Sequence, residues 1–160
     1  MAIAVGSRIP DIMLTKATAD GPQSVEAKDY FAGRTVALFS VPGAFTPTCS
    51  ARHLPGFVER ADEIKGKGVD EIACTAVNDP FVMKAWGDSA GVSDKVTMLA
   101  DGNGAFAEAV GLTMDGSKFG LGTRGQRYSM LVRDGVVEQL NVEEPGAFNV
   151  SSADYMIERL

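Results

Sequence analysis

Cysteine, histidine and surplus basic charge are all scarce in this chain. Only two cysteines, Cys49 and Cys74, occur in 160 residues. That is too few for the disulfide scaffold of a small secreted protein, so thiol reactivity becomes the question instead. With one histidine, His53, the set offers no zinc-ligand spacing, and no metal site or cofactor is expected. Fifteen Lys and Arg against 21 Asp and Glu leave a formal net charge of -6, which argues against a nucleic acid or an anionic membrane surface as partner. No apolar run approaches the roughly 18 residues of a membrane span. Residues 1–8 lack a basic segment followed by a long apolar one, so no secretory signal is expected and a cytoplasmic location is. Linkers, low-complexity tracts, charge blocks and repeats are missing too, which predicts a single domain over residues 1–160.

What the chain does have is a distinctive stretch from Val41 to Ser50, VPGAFTPTCS. Before it, residues 35–40 form a short apolar run suited to a buried strand. After it, Leu54, Phe57, Val58, Ala61 and Ile64 recur at helical spacing and predict an amphipathic helix. Cys49 therefore falls where a strand hands over to a helix, with Thr46 and Thr48 as candidate N-caps. Unpaired N–H groups and the positive dipole end favour an anion there, so a partly thiolate cysteine is expected at neutral pH.

Taken in order, the remaining chain predicts a short strand at 9–14, a turn at Gly21-Pro22 and a brief helix at 27–31. A strand at 71–77 follows, then a helix opened by Asp79 as cap and Pro80 at its first position. A strand at 95–100 and a short helix at 105–110 ended by Gly111 come next. Residues 112–126 are Gly-rich without periodicity and read as a long loop. Arg133-Asp134-Gly135 joins two strand-like runs, 127–132 and 136–142, as a hairpin. Ser151 or Ser152 caps a closing helix running to Leu160. Right-handed crossovers make the first three core strands parallel, with the hairpin antiparallel beside them. The expected architecture is a thioredoxin-like α/β fold, a central mixed sheet flanked by helices.

The stretch Pro42-Gly-Ala-Phe-Thr46-Pro-Thr-Cys49 resembles the P-x-x-x-T-x-x-C signature of peroxiredoxins. Its surroundings, with residues 77–86, 120–124 and 127–130, resemble the atypical type II, or peroxiredoxin-five, subfamily over nearly the full chain. The resemblance implies a thiol-dependent peroxidase that reduces hydrogen peroxide and alkyl hydroperoxides through a sulfenic acid on Cys49. It implies that Thr46 and Arg127 activate and position, and that Pro42 shields the sulfur. Phe45, Thr48 and Phe119 are the expected substrate contacts, with backbone N–H groups of 45–49 holding the peroxide oxygens. Glutathione with glutaredoxin, or thioredoxin, is the implied reductant, and a homodimer the implied assembly. Arg124 and Arg133 compete with Arg127 as the site cation until the resemblance selects Arg127.

Cys74 carries two readings. It shares a strand face with Ile72 and Ala76 and so reads as a core thiol; as a resolving cysteine it would require the Cys49 helix to unwind, since bridged Cα atoms must lie within about 7 Å. Some family members carry the second cysteine near the C-terminus, where this chain has Ser151 and Ser152. His53, four residues after Cys49, reads as a polar packing group or a support for the site; a Cys/His hydrolase pair is the competing reading. A thioredoxin-type disulfide oxidoreductase is disfavoured because Thr46 stands where that motif has its first cysteine. A non-catalytic redox sensor predicts stoichiometric oxidation without turnover.

Overall fold

The structure, a computed structural model, describes residues 2–160. It opens with an antiparallel hairpin, β1 (Met13–Thr18) and β2 (Gly21–Glu26), followed by α1 (Ala27–Phe31). β3 (Thr35–Ser40) leads through the Val41–Thr46 loop into a helical segment whose middle is a π-helical turn, Cys49–His53. Next come α2 (Leu54–Glu59), α3 (Ala61–Gly66), β4 (Glu71–Ala76), α4 (Pro80–Ser89), β5 (Thr97–Ala100) and α5 (Ala105–Val110). A small second sheet is made of β6 (Thr113–Asp115) and β7 (Thr123–Gly125), which flank a 3-10 turn at Ser117–Phe119. β8 (Tyr128–Arg133), β9 (Val136–Val142) and α6 (Ala153–Ile157) complete the chain.

The main sheet has the order β2-β1-β5-β4-β3-β8-β9. Parallel pairing joins β3 to β4 and β4 to β5, while β8 runs antiparallel to β3. β3 is buried at every position, as a central strand covered on both faces must be. Its side chains alternate: Ala37 and Phe39 join a core with Leu54, Phe57, Ile64, Met83 and Trp86, and Val36 and Leu38 join one with Phe31, Phe106 and Val110. Helices α2, α3, α4 and α6 cover the first face; α1 and α5 cover the second. Phe39 and Phe57 stack at 4.2 Å between centroids, directly behind the Cys49 segment. Each such ring contributes roughly 1.5–3 kcal/mol on burial, so the strand and helix flanking the site are firmly pinned. The result is the expected thioredoxin-like α/β fold.

Several expectations need correction. The first strand lies at 13–18, not 9–14, because Pro10 cannot donate to a ladder and Ile9 N–H is committed to the Gly135 carbonyl at 2.8 Å. The turn is at Ala19-Asp20, closed by the Thr18 hydroxyl donating to the Gly21 carbonyl; Pro22 sits inside β2, which tolerates it as an edge strand. Residues 112–126 are ordered by the β6–β7 pairing rather than left as a loop. Finally, the amphipathic run after Cys49 is not one α-helix. The π turn precedes it and it breaks at Arg60 into α2 and α3; the closing helix, expected to run to Leu160, stops at Ile157.

Other local signals behave as the residues dictate. Asp79 caps α4 by accepting from Val82 N–H at 2.8 Å. Asp134 and Gly135 take positive φ values of 48° and 79°, as a two-residue hairpin turn of type I′ requires.

Candidate active site

The loop bearing the reactive stretch is held from below. Val41 N–H donates to the Thr75 carbonyl at 3.1 Å, and Ala44 N–H donates to Asn78 Oδ1 at 2.9 Å. Phe45 adopts φ 65°, a left-handed conformation costly for a bulky side chain, and its ring is 54% exposed. The turn it makes is closed by Thr46, whose hydroxyl lies 2.8 Å from the Gly43 carbonyl. A carbonyl only accepts, so the Thr46 proton is committed to it and the oxygen can serve only as an acceptor; Thr46 itself does not line the cleft described below. Neither threonine caps the helix as expected: Thr48 is already helical and makes no side-chain capping bond.

The segment that follows is wound wider than an α-helix. Leu54 N–H donates to the Cys49 carbonyl, five residues back. Pro55 supplies the reason, since its ring excludes a tight α turn against the carbonyl of residue 51. This turn sets Cys49 and His53 facing inward, and both are fully buried.

Arg127, just before β8, reaches both. Its Nη2 donates to Cys49 Sγ at 3.0 Å, and its Nη1 lies 2.8 Å from His53 Nδ1. His53 Nε2 lies 2.9 Å from the Ser151 carbonyl. The ring is neutral: burial, reinforced by the Arg127 charge, pushes its pKa down to about 3, although the Ser151 carbonyl pulls the other way. The carbonyl can only accept, so Nε2 carries the proton and Nδ1 offers its lone pair to Arg127. No lone pair is left for a thiol proton, so the Cys/His hydrolase pair does not form; His53 supports Arg127 instead.

A cleft of about 630 Å³ opens beside this cluster, lined by Pro42, Thr48, Met114, Phe119, Arg127 and Pro145 among others. Cys49 lies one residue from Thr48 and one hydrogen bond from Arg127, both on the cleft wall. Phe119 is 81% exposed on the rim. The Phe45 side chain does not line the cleft; its ring lies 6.5 Å from that of Trp86. Of the competing cations, Arg124 donates to the Val77 and Leu121 carbonyls behind Gly43, and Arg133 pairs with Glu138 on the surface.

Cys74 is fully buried at the centre of the sheet, in the same core as Cys49, Ile72 and Ala76. Burial pushes its thiol well up, as does the nearby Cys49, against a smaller opposing pull from Arg127. Both cysteines are free. Among the described residues, no three His, Cys, Asp or Glu side chains stand close enough to hold a metal ion, and no helix is long and apolar enough to cross a membrane. Sequence reasoning missed Glu143, which lines the cleft and whose carboxylate gathers the backbone of 149–151. Its only sequence signal is a carboxylate preceding a Ser-rich, turn-like segment.

The Redoxin family model matches residues 4–157. Peroxiredoxin-2B of Arabidopsis thaliana is 48% identical over 99% of this chain and 98% of its own length. The chloroplastic peroxiredoxin-2E-2 of Oryza sativa subsp. japonica is 52% identical over 99% of this chain and 72% of its own length. The crystal structure of reduced Prx3 from Vibrio vulnificus in complex with hydrogen peroxide superposes with a TM-score of 0.94 at 48% identity, covering 98% of both chains. Matched end to end at about half its residues by named peroxiredoxins, and folded as one of them is, the chain belongs to the peroxiredoxins of the Redoxin family, the thiol-dependent peroxidases.

Proposed function

We propose that Cys49 is the peroxidatic nucleophile for hydrogen peroxide and alkyl hydroperoxides, in a chain of the type II subfamily. The observation that carries this reading is the 3.0 Å contact from Arg127 Nη2 to Cys49 Sγ, made beside an open cleft. The sulfur anion attacks one peroxide oxygen in line; the S–O bond forms as the O–O bond breaks, and the departing oxygen leaves as alkoxide or hydroxide and takes up a proton. Arg127 holds its charge through this shift and its fork donates to sulfur and to the oxygen that approaches it. Thr46 accepts from the peroxide O–H, backbone N–H groups of 45–49 hold the oxygens, and Pro42 shields the sulfenic acid from water. Thr48 and Phe119 contact the organic part of larger substrates, while Phe45 contributes through its backbone.

Regeneration follows when a thiol attacks the sulfenic sulfur, releasing water and leaving a mixed disulfide that a second thiol reduces. Glutathione with glutaredoxin, or thioredoxin, fills this role, because Cys74 is buried and disfavoured as an anion in the folded state. Cytoplasmic residence fits two free thiols, and a homodimer fits the exposed Phe45 and Phe81 rings. One domain over 1–160 carries the activity. Stopped-flow oxidation with one equivalent of hydrogen peroxide tests the reading: wild type reacts far faster than a free thiol and Cys49→Ser does not react. Oxidation no faster than that of a free thiol overturns it.

A further inference from the structure

Arg127 is held by a closed ring of contacts, and one residue, Glu143, occurs in it twice. Its backbone N–H donates to the Arg127 carbonyl at 3.0 Å, one step beyond the Tyr128–Val142 pair of the β8–β9 ladder. Its side chain, 7% exposed as a residue, turns the other way. Oε2 accepts from the N–H groups of Asn149, Val150 and Ser151, each at 2.8 Å, and from Ser151 Oγ at 2.7 Å; Oε1 accepts from Asn149 N–H at 2.9 Å. Three successive amides and Ser151 Oγ converging on one carboxylate fix the main chain up to the Cα of Ser151. They thereby place Ser151, whose carbonyl meets His53 Nε2 at 2.9 Å. That contact sets the tautomer, and the tautomer supplies the Nδ1 lone pair that Arg127 Nη1 requires.

We propose that Glu143 is a positioning residue for peroxide reduction, acting through the 149–151 segment and His53 to hold the Arg127 fork against Cys49. The proposal rests on the peroxidase reading above. A guanidinium has several rotatable bonds between backbone and charge, and nothing in Arg127 alone selects the rotamer that reaches sulfur. Glu143 anchors it at both ends: the main chain directly, and the guanidinium by way of a carbonyl, an imidazole and one lone pair. A carboxylate is needed for this. All four donors meet at Oε2 and one of them also at Oε1; the neutral amide oxygen of Gln is a weaker acceptor for four donors, and its NH₂ would face the Asn149 N–H. The carboxyl is also held ionised: burial alone would raise its pKa, but the donors from Asn149, Ser151 and Val150 prevail and keep it below the usual carboxylate range.

The test is a double-mutant cycle read by the second-order rate of Cys49 oxidation by hydrogen peroxide, with alkylation of Cys49 by iodoacetamide as the control. Glu143→Gln is expected to lower the peroxide rate roughly 10- to 100-fold, the scale of a misplaced catalytic group. Alkylation, compared at a pH high enough for Cys49 to be thiolate in both proteins, needs no fork on a peroxide oxygen and changes by less than about threefold. In an Arg127→Ala background the same substitution changes the peroxide rate by less than about twofold, because the group it positions is gone. Equal losses in both backgrounds, or a parallel loss in alkylation, overturn the proposal. If Glu143→Gln does not fold, His53 decides: His53→Gln keeps a donor for Ser151 and an acceptor for Arg127 and retains most of the rate, whereas His53→Leu loses as much as Arg127→Ala. Equal rates for these two variants overturn the proposal as well. A slow wild type in the same assay instead removes the peroxidase reading on which the proposal stands.

Discussion

The indole N–H of Trp86 donates to Ser50 Oγ at 3.0 Å, which ties α4 to the residue that follows Cys49. Trp86 is buried, and Ser50 lies within the π turn, so any unwinding of Cys49–His53 must break this bond. Trp86 emission is therefore expected to change if oxidation of Cys49 unwinds this turn. Ser50→Ala leaves the buried indole N–H without a partner, at a cost of about 1–3 kcal/mol. Urea unfolding measures that loss. An unchanged midpoint would show that water already satisfies the indole.

Arg127 makes two directed contacts from one planar group, and that makes Lys a poor substitute. Arg127→Ala is expected to reduce the rate of Cys49 oxidation by about 10²–10³-fold, the usual loss for a donor aimed at developing charge. Arg127→Lys restores only part of it, since one ammonium cannot keep both Sγ and Nδ1 in a fixed fork. Stopped-flow rates for the two variants separate geometry from charge. Equality of Arg127→Lys with wild type means that charge alone suffices.

These two relationships differ in how legible they were in the sequence. The handover from β3 to a helix at Cys49 could be read from an apolar run, a threonine-rich turn and helical spacing, each a local signal. Asp79-Pro80 and Asp134-Gly135 were equally local. The π turn was not legible, because Cys49 and His53, four residues apart, share a face in an α turn as well. Arg127 and His53 lie 74 positions apart. Nothing in either segment announces their contact, and only the resemblance to peroxiredoxins drew Arg127 toward the site. Glu143 was invisible for a related reason: its partners are main-chain amides, which leave no residue-type signature. The β6–β7 pair escaped notice because three-residue strands rich in glycine carry no usable period.

Cys74 is expected to be inert in the folded protein. Its burial and raised pKa leave almost no thiolate, which is the reactive form. Under native conditions iodoacetamide should label Cys49 alone, and in urea both cysteines. Cys74→Ser should leave the rate of Cys49 oxidation within about twofold, since Cys74 makes no hydrogen bond to the site. Rapid native labelling of Cys74, followed by mass analysis of the product, would contradict this and revive its role in resolution.

The cleft is larger than hydrogen peroxide needs, and Phe119 stands exposed on its rim beside Met114 and Pro145. On the reading proposed above, organic hydroperoxides would gain apolar contact there and hydrogen peroxide would not. Phe119→Ala is expected to raise KM for cumene hydroperoxide roughly 5- to 20-fold, consistent with losing about 1–2 kcal/mol of apolar burial. The hydrogen peroxide rate stays within about twofold. Equal effects on both substrates would assign Phe119 to loop packing instead.

Acid should loosen the site through His53, and the sign follows from its depressed pKa. The folded imidazole titrates at about 3, whereas an unfolded histidine titrates near 6.5. Between these values the unfolded chain binds the extra proton, so stability falls as pH falls, by up to about 1.4 kcal/mol per pH unit. Above about pH 7 this contribution is constant. Glu143 works in the same direction at lower pH: its folded carboxyl is held below the usual range, so stability present above its unfolded pKa is lost as pH drops through the folded one. Urea midpoints at pH 7, 5.5 and 4.5 should therefore decline in wild type and decline less in His53→Gln, which has no imidazole to protonate. The chemistry matches the energetics, because an imidazolium has no lone pair for Arg127 Nη1 and repels the guanidinium. Protonation would thus release Arg127 from Cys49 as it destabilises the fold. Identical slopes for wild type and His53→Gln would mean that another group controls the acid transition.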